Sequence, residues 1–339
     1  MFTVNIDLYE RRMGMILSVE ELKKYISGAV YFEEKDGIIP YRFTKEKLQT
    51  VYDVVNKIRH NTATGIRIEF YSDTEEIFFK YTAFTKFSSS VYKLYYFDVY
   101  VDDALVLHQG AKNVEDDMEG TIHVLLGKGY KHITIYLPGS CSVKISDFSI
   151  SSGAKIERHT YDKNVIFFGD SITHAAYIDF PSMNYTNILS RKLNYNYVNQ
   201  AIGGDVFDKK HLRFLPDFRA DAVFVAYGTN DWRWENETSR ERIEEYFSTL
   251  NDFYGNIEIN VILPIWRGDM NENTEFKYSF WEIRNIIRKT AEKYDANVYD
   301  LIECIPHDKI LMHDGFLHPN ECGFRFYADA LEKCLNGEN

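Results

Sequence analysis

The distribution of apolar positions changes character near residue 155. Up to that point, short runs rich in Val, Ile, Tyr and Phe recur at strand length and are broken by Gly, Asp and Ser. They include Ile66–Tyr71, Glu76–Tyr81, Leu94–Val101, Ala104–Leu107, Thr121–Leu126, His132–Leu137 and Val143–Ile150. In His132-Ile133-Thr134-Ile135-Tyr136-Leu137 every second residue is aliphatic, the period of a strand with one buried face. Asp102-Asp103 and Gly127-Lys128-Gly129 read as hairpin turns. Many short strands joined by turns predict a β-sandwich or jelly roll over residues 1–155. One helix is expected ahead of most of them, about Thr44–Arg59, with Leu48, Val51, Val54, Val55 and Ile58 on one face.

Over residues 156–339 strands and helices alternate. Apolar strand candidates are Val165–Phe168, Tyr197–Asn199, Ala222–Ala226, Ile257–Leu263 and Val298–Tyr299. Helical stretches lie near Ser182–Leu193, Ser239–Tyr254, Phe276–Tyr294 and Gly323–Leu335, the third with Phe280, Ile283, Ile287 and Ala291 at helical spacing. This alternation predicts a parallel sheet covered on both faces, and such sheets bind ligands at the carboxyl ends of their strands.

Four segments with chemical content fall there. Gly169-Asp170-Ser171-Ile172-Thr173 follows the first strand and places a serine at a strand-to-helix turn. Free N–H groups and the helix dipole would favour an oxyanion at that place, although Asp170 and Ser171 are also ordinary helix caps. Asn199-Gln200-Ala201-Ile202-Gly203-Gly204-Asp205 brings paired glycines whose N–H groups can approach a ligand, or form a common turn. Tyr227-Gly228-Thr229-Asn230-Asp231-Trp232 offers an Asn side-chain donor, or an Asx-turn. Asp314-Gly315-Phe316-Leu317-His318-Pro319-Asn320 offers a His able to act as base, with a nearby Asp to hold its tautomer, or a solvated loop His.

In this order, each after a strand, the four segments resemble the signature blocks of the SGNH, or GDSL-type, hydrolases over about Asn164 to Leu335. The resemblance implies a flavodoxin-like three-layer fold, with Ser171 as nucleophile and His318 as base. Gly204 matches the glycine that donates through its N–H, and Asn230 the asparagine that donates through its side chain. With the Ser171 N–H these would form the oxyanion hole. The order of the two halves is similar to that of two-domain carbohydrate esterases, in which a jelly roll precedes an SGNH domain. Two departures stand out. The family's acid usually lies three residues before the base; here that slot is Gly315, and Asp314 lies four before His318. Either Asp314 reaches Nδ1 across a longer turn, or a backbone carbonyl completes a dyad. Where the family often has glycine, this chain reads Thr173-His174-Ala175. One turn along Ser171's own helix, His174 is poorly aimed as a base and is expected to touch substrate or a loop. Asp170 is expected among the substrate contacts.

Composition narrows the setting. The 339 residues carry 51 acidic and 39 basic side chains, for a formal charge of −12, which argues against a phosphate-tracking surface and so against nucleic acid. Aromatics reach 16%, mostly 25 Tyr and 24 Phe that strands and helix cores account for. Three of the four Trp, Trp232, Trp234 and Trp266, follow strand ends, where they can form a stacking wall for a sugar, a tight acyl pocket, or plain loop packing. Arg233 and Arg267 beside them can meet an anion or pair with Asp231 and Asp269. Cys141, Cys304, Cys322 and Cys334 show no framework spacing, so free thiols are expected. No leader is visible in Met1–Met15 and no run suits a membrane span, so the expected setting is cytoplasmic.

Other motifs fail. Ser171 lacks the second glycine of GxSxG, Ser90-Val91-Tyr92-Lys93 stands without the partners of an SxxK motif, and His307, His313 and His318 do not form HExxH. No metal or nucleotide cofactor is expected. The sequence thus points to a serine esterase acting through an acyl-enzyme on a small O-acyl group, acetyl on a carbohydrate above all. The alternatives are a lipid or thioester acyl hydrolase and a non-catalytic sugar-binding protein, and homo-oligomerisation stays open.

Overall fold

The computed structural model describes residues 14–338 except Tyr52, Ala176, Arg213, Asn273 and Thr274. All but the last two residues of Met1–Met15, where no leader is expected, lie outside the described residues.

The first half contains β1 (Met15–Ile16), α1 (Val19–Lys23), β2 (Ile26–Ser27), β3 (Tyr31–Glu34), β4 (Ile38–Tyr41), α2 (Lys45–Thr50) and α3 (Val54–Asn61). These are followed by β5 (Arg67–Ser72), β6 (Glu76–Ala83), β7 (Tyr95–Val101), β8 (Ala104–Ala111), β9 (Met118–Leu125), β10 (Lys131–Tyr136), β11 (Val143–Ile150) and β12 (Ile156–Arg158). They form two antiparallel sheets, one ordered β3-β4-β11-β6-β9 with β1 on β11, the other β12-β5-β10-β7-β8 with β2 on β5. Alternate residues of both face a common core. Phe79 meets Phe97 across it at 5.8 Å between ring centroids, and Phe148 meets Phe70 at 6.3 Å. This half is a β-sandwich.

The Asp102-Asp103 turn joins β7 to β8, with φ of 45° and 67° as a two-residue hairpin of matching twist requires. Gly127-Lys128-Gly129 is not a hairpin: β9 pairs with β6, while β10 pairs with β5 and β7, so the glycines carry the chain between sheets. Turn residues mark a reversal without saying which sheet the next strand joins. The helix expected over Thr44–Arg59 is two helices. Val51 is extended at φ −87° and ψ 109°, and Asp53 caps α3 by accepting from the Asn56 N–H. Val54 and Val55 are consequently exposed. The antiparallel pairing also runs past residue 155, because Ile156–Arg158 still pairs with β5.

The second half holds β13 (Lys163–Gly169), α4 (Ser171–His174), α5 (Tyr185–Leu193), β14 (Tyr195–Asn199), β15 (Ala222–Ala226), α6 (Thr229–Arg233), α7 (Ser239–Tyr254), β16 (Glu258–Ile262), α8 (Phe280–Lys293), β17 (Asn297–Tyr299) and α9 (Glu321–Leu335). Its five strands are parallel and ordered β14-β13-β15-β16-β17, the flavodoxin-like arrangement. Successive side chains alternate faces. Ile166 and Phe168 pack with residues of α7 and α8, whereas Val165 and Phe167 pack with residues of α5 and α9. The order reverses at β13, and the loops after β13, β14 and β15 therefore open onto one crevice. The sandwich meets this layer near α5 and β14, where Arg67 donates to the Tyr195 carbonyl and Arg191 to the Tyr136 hydroxyl, both at 2.9 Å.

Candidate active site

β13 delivers Ser171 to its place. A Cβ on Gly169 would lie 2.3 Å from Thr173 Oγ1, so only glycine lets the chain turn this tightly. Asp170 caps α4, its side chain accepting from the Ile172 N–H at 3.0 Å. The helix is a single turn, ended by Ala175 at φ 53°, so the donors there are individual N–H groups rather than the dipole of a long helix. Ser171 is 9% exposed, and its Oγ lies 2.8 Å from His318 Nε2.

The turn before His318 holds the ring. Gly315 takes φ 79°, and the extra residue lets Asp314 fold back over the turn. Its Oδ1 accepts the N–H groups of Phe316, Leu317 and His318 at 3.1, 2.8 and 3.1 Å, and its Oδ2 lies 2.7 Å from His318 Nδ1. Partial burial pushes the Asp314 carboxyl up, but the hydrogen bonds from His318 and those three N–H groups outweigh it and hold the group well below the usual carboxylate range. An ionised Asp314 fixes the proton on Nδ1 and leaves the Nε2 lone pair toward Ser171. Tyr177, which sequence reasoning passed over, packs on the His318 ring at 4.5 Å. No spacing signal marks it.

The loop after β14 runs beside this serine, with Gln200 N–H donating to the Phe167 carbonyl and Ile202 N–H to that of Gly169. Gly204, at φ 81°, is exposed, and its N–H and that of Ser171 find no acceptor among the described residues. Asn230 follows β15. Its Nδ2 donates to the Asp205 carbonyl at 2.8 Å and its Oδ1 accepts from Trp234 Nε1 at 3.1 Å, which fixes the amide and leaves its second Nδ2 hydrogen for a ligand. Ser171 and His318 are thus in contact, and the loops after β13, β14 and β15 carry the Ser171 and Gly204 N–H groups and the second Nδ2 hydrogen of Asn230, donor types suited to a tetrahedral oxyanion.

Other expected contacts are placed elsewhere. Trp232 is 1% exposed, packed edge-on against Phe276 and Phe280 in the core, and Trp266 is buried and stacked on His307. Neither forms a wall for substrate. Trp234 is 70% exposed and touches Asn230, so it alone of the three offers an open aromatic face. Asp170 is buried as a cap, and burial raises its carboxyl to about 7 despite the Ile172 N–H; it is not a surface for substrate. His174 is fully buried and contacts the Gly203 loop, not the crevice. Arg267 forms a bidentate pair with Asp269, while Asp231 pairs with Arg242.

Among the described residues Glu69, His132 and His159 bring possible metal-ligating atoms within 4.8 Å of one another. The two imidazoles are stacked, 4.5 Å apart and 18° from parallel, so their in-plane lone pairs run side by side and cannot converge on one ion. Arg67 and Tyr161 already occupy Glu69 Oε2. The donor set does not fit a metal.

Residues 167–326 match the GDSL-like Lipase/Acylhydrolase family. The second half of the chain carries a GDSL-type domain. The whole chain is also similar to solved structures. A salicylyl-acyltransferase, SsfX3, from a tetracycline biosynthetic pathway superposes with a TM-score of 0.76 at 18% identity, covering 92% of this chain and 94% of that one. An acetyl xylan esterase from the rumen bacterium Butyrivibrio proteoclasticus gives 0.63 at 13%, covering 96% and 98%. A family two carbohydrate esterase from Cellvibrio japonicus gives 0.63 at 13%, covering 94% and 96%. At such identities the likeness is one of fold, and it extends across both the sandwich and the GDSL-type domain. Comparison with curated proteins finds no match.

Proposed function

We propose that the protein is a serine esterase that removes small O-acyl groups, acetyl above all, from a carbohydrate. The observation that carries this reading is the continuous chain from Ser171 Oγ through His318 to Asp314, with contacts of 2.8 and 2.7 Å. Ser171 attacks the ester carbonyl as His318 Nε2 takes its proton. Asp314 holds the ring and balances the imidazolium. The oxyanion is met by the N–H groups of Ser171 and Gly204 and by Asn230 Nδ2. His318 then protonates the leaving sugar hydroxyl, and a water activated by the same histidine releases acetate.

Two features support a sugar ester over a lipid. The open face of Trp234 adjoins Asn230, where a pyranose can stack. An apolar groove of about 500 Å³ does exist, lined by Ile39, Val54, Ile58, Phe84 and Phe87 among others, but its lining includes no residue of this site. A series of aryl esters separates the readings: acetate esters turn over fastest here, whereas a lipid hydrolase would prefer long chains. Acetate release from a panel of acetylated glycans identifies the sugar, and added alcohol acceptors report any transfer in place of hydrolysis. Ser171→Ala, folded as judged by circular dichroism, lowers aryl acetate turnover by at least about 10³-fold. Undiminished turnover in that variant rules the assignment out.

A further inference from the structure

The loop that carries Gly204 is fastened by the other half of the chain. Gly203 is held on both sides: its N–H donates to His174 Nδ1 at 3.1 Å, and its carbonyl accepts from Arg59 Nη1 at 2.6 Å. Arg59 lies on α3, between the sandwich strands β4 and β5, and is partly buried.

This grip has a geometric consequence. A trans peptide is planar, so the Gly203 carbonyl and the Gly204 N–H point in opposite directions. Anchoring the carbonyl on Arg59 turns the Gly204 N–H to the other side, away from the guanidinium. The restraint matters because two successive glycines have no Cβ to resist rotation, and Gly204 already sits at φ 81°. A flip of that one peptide would replace the donor with a carbonyl oxygen and repel an oxyanion.

Arg59 is itself fixed. Its carbonyl accepts from Arg42 Nη2 at 2.6 Å. Arg42 is fully buried and uses all five N–H groups. Besides Arg59 it binds the Thr62 carbonyl and hydroxyl at 3.1 and 3.2 Å, and reaches the Asn199 and Ala201 carbonyls of the loop at 2.8 and 2.6 Å. Gln200 donates back to the Arg42 carbonyl. The second anchor has the same origin. Because Gly203 N–H can only donate, His174 Nδ1 must accept, so its Nε2 carries the proton and donates to Thr62 Oγ1 at 2.9 Å. Burial keeps this ring neutral, with Arg42 and Arg59 adding to the effect.

We propose that Arg59 is a positioning residue of the oxyanion hole, which makes the segment between β4 and β5 of the sandwich half part of the esterase's working machinery. The proposal rests on the assignment of Gly204 as an oxyanion donor. A role for Arg59 as a substrate contact is the rival, and kinetics separates the two, since a contact made equally in ground and transition states changes KM instead of kcat.

The test uses full-length Arg59→Met and Arg59→Lys, with steady-state kinetics on an aryl acetate and the rate of Ser171 labelling by a fluorophosphonate. R59M lowers kcat about 10- to 100-fold, within the loss expected when one oxyanion donor is misplaced, with KM changed less than about twofold. Labelling slows in parallel. R59K recovers much of the loss, because its ammonium can still donate to the Gly203 carbonyl. If R59M does not fold, R59Q, too short to reach, takes its place. An unchanged kcat, or a raised KM with kcat preserved, overturns the proposal. Wild-type protein that neither turns over ester nor labels at Ser171 overturns the serine esterase reading and the proposal with it. Equal labelling of wild type and R59M overturns the positioning role alone.

Discussion

Around His318 the chain supplies its own restraints. Asp314 accepts three N–H groups from the next four residues and meets the ring it orients, all within one turn. Around Gly204 it does not. The Gly203 carbonyl is held by a residue 144 positions away, and the neighbouring carbonyls by another 157 to 159 positions away. The proposed acid–base side of the site is therefore a local device, whereas the proposed oxyanion side depends on how the two halves of the chain pack. Damage to the first should stay chemical and confined. Damage to the second should spread between domains.

The largest expected effect that sharpens this contrast is on the local device. Asp314→Asn keeps the shape of the turn but leaves the proton of His318 on the wrong nitrogen for half its task, and kcat falls by up to about 10⁴-fold. Stopped or steady-state hydrolysis of an aryl acetate measures it, and a loss under tenfold would favour a dyad held by a backbone carbonyl.

The tryptophans make a second comparison. Trp232→Ala empties a core position and should destabilise the fold by about 3–5 kcal/mol, seen as a lower denaturant midpoint. Trp234→Ala removes an exposed ring, leaving that midpoint nearly unmoved while KM for an acetylated sugar rises severalfold. If the two variants behave alike in either assay, the separation of core from site is wrong.

The smallest effect concerns pH. Asp314 is depressed in the folded protein, so its contribution to stability is present above the unfolded carboxylate's range and is lost as pH falls toward the folded value. The stability gap between wild type and Asp314→Asn should shrink below about pH 4. A gap that widens on acidification contradicts the hydrogen-bonded, ionised Asp314 described above.

How much could be read in advance follows the same division. The strand-to-helix turn at Ser171, the paired glycines, Asn230 and His318 were legible because each is announced by residues next to it in the chain. So was the Asp102-Asp103 hairpin, whose two positive φ angles suit Asp. The break between α2 and α3 was not, since the apolar spacing of Leu48 to Ile58 ran through the Asp53 cap that ends it. Trp232 and Trp234, two residues apart, have opposite exposures because α6 turns one inward and the other out. Arg42 and Arg59 carried no signal at all. Apart from the Thr62 hydroxyl their partners are backbone carbonyls, which every residue type possesses, and only the folded contact reveals them.

The central claim is that Ser171 forms a covalent acyl intermediate. Acid quenching of wild-type protein during turnover of an aryl acetate, followed by peptide mass spectrometry, tests it most directly. A single acetyl group on the peptide containing Ser171, absent from Ser171→Ala, is the predicted result. Continued turnover with no acetyl there, or with acetyl on another residue, contradicts the account.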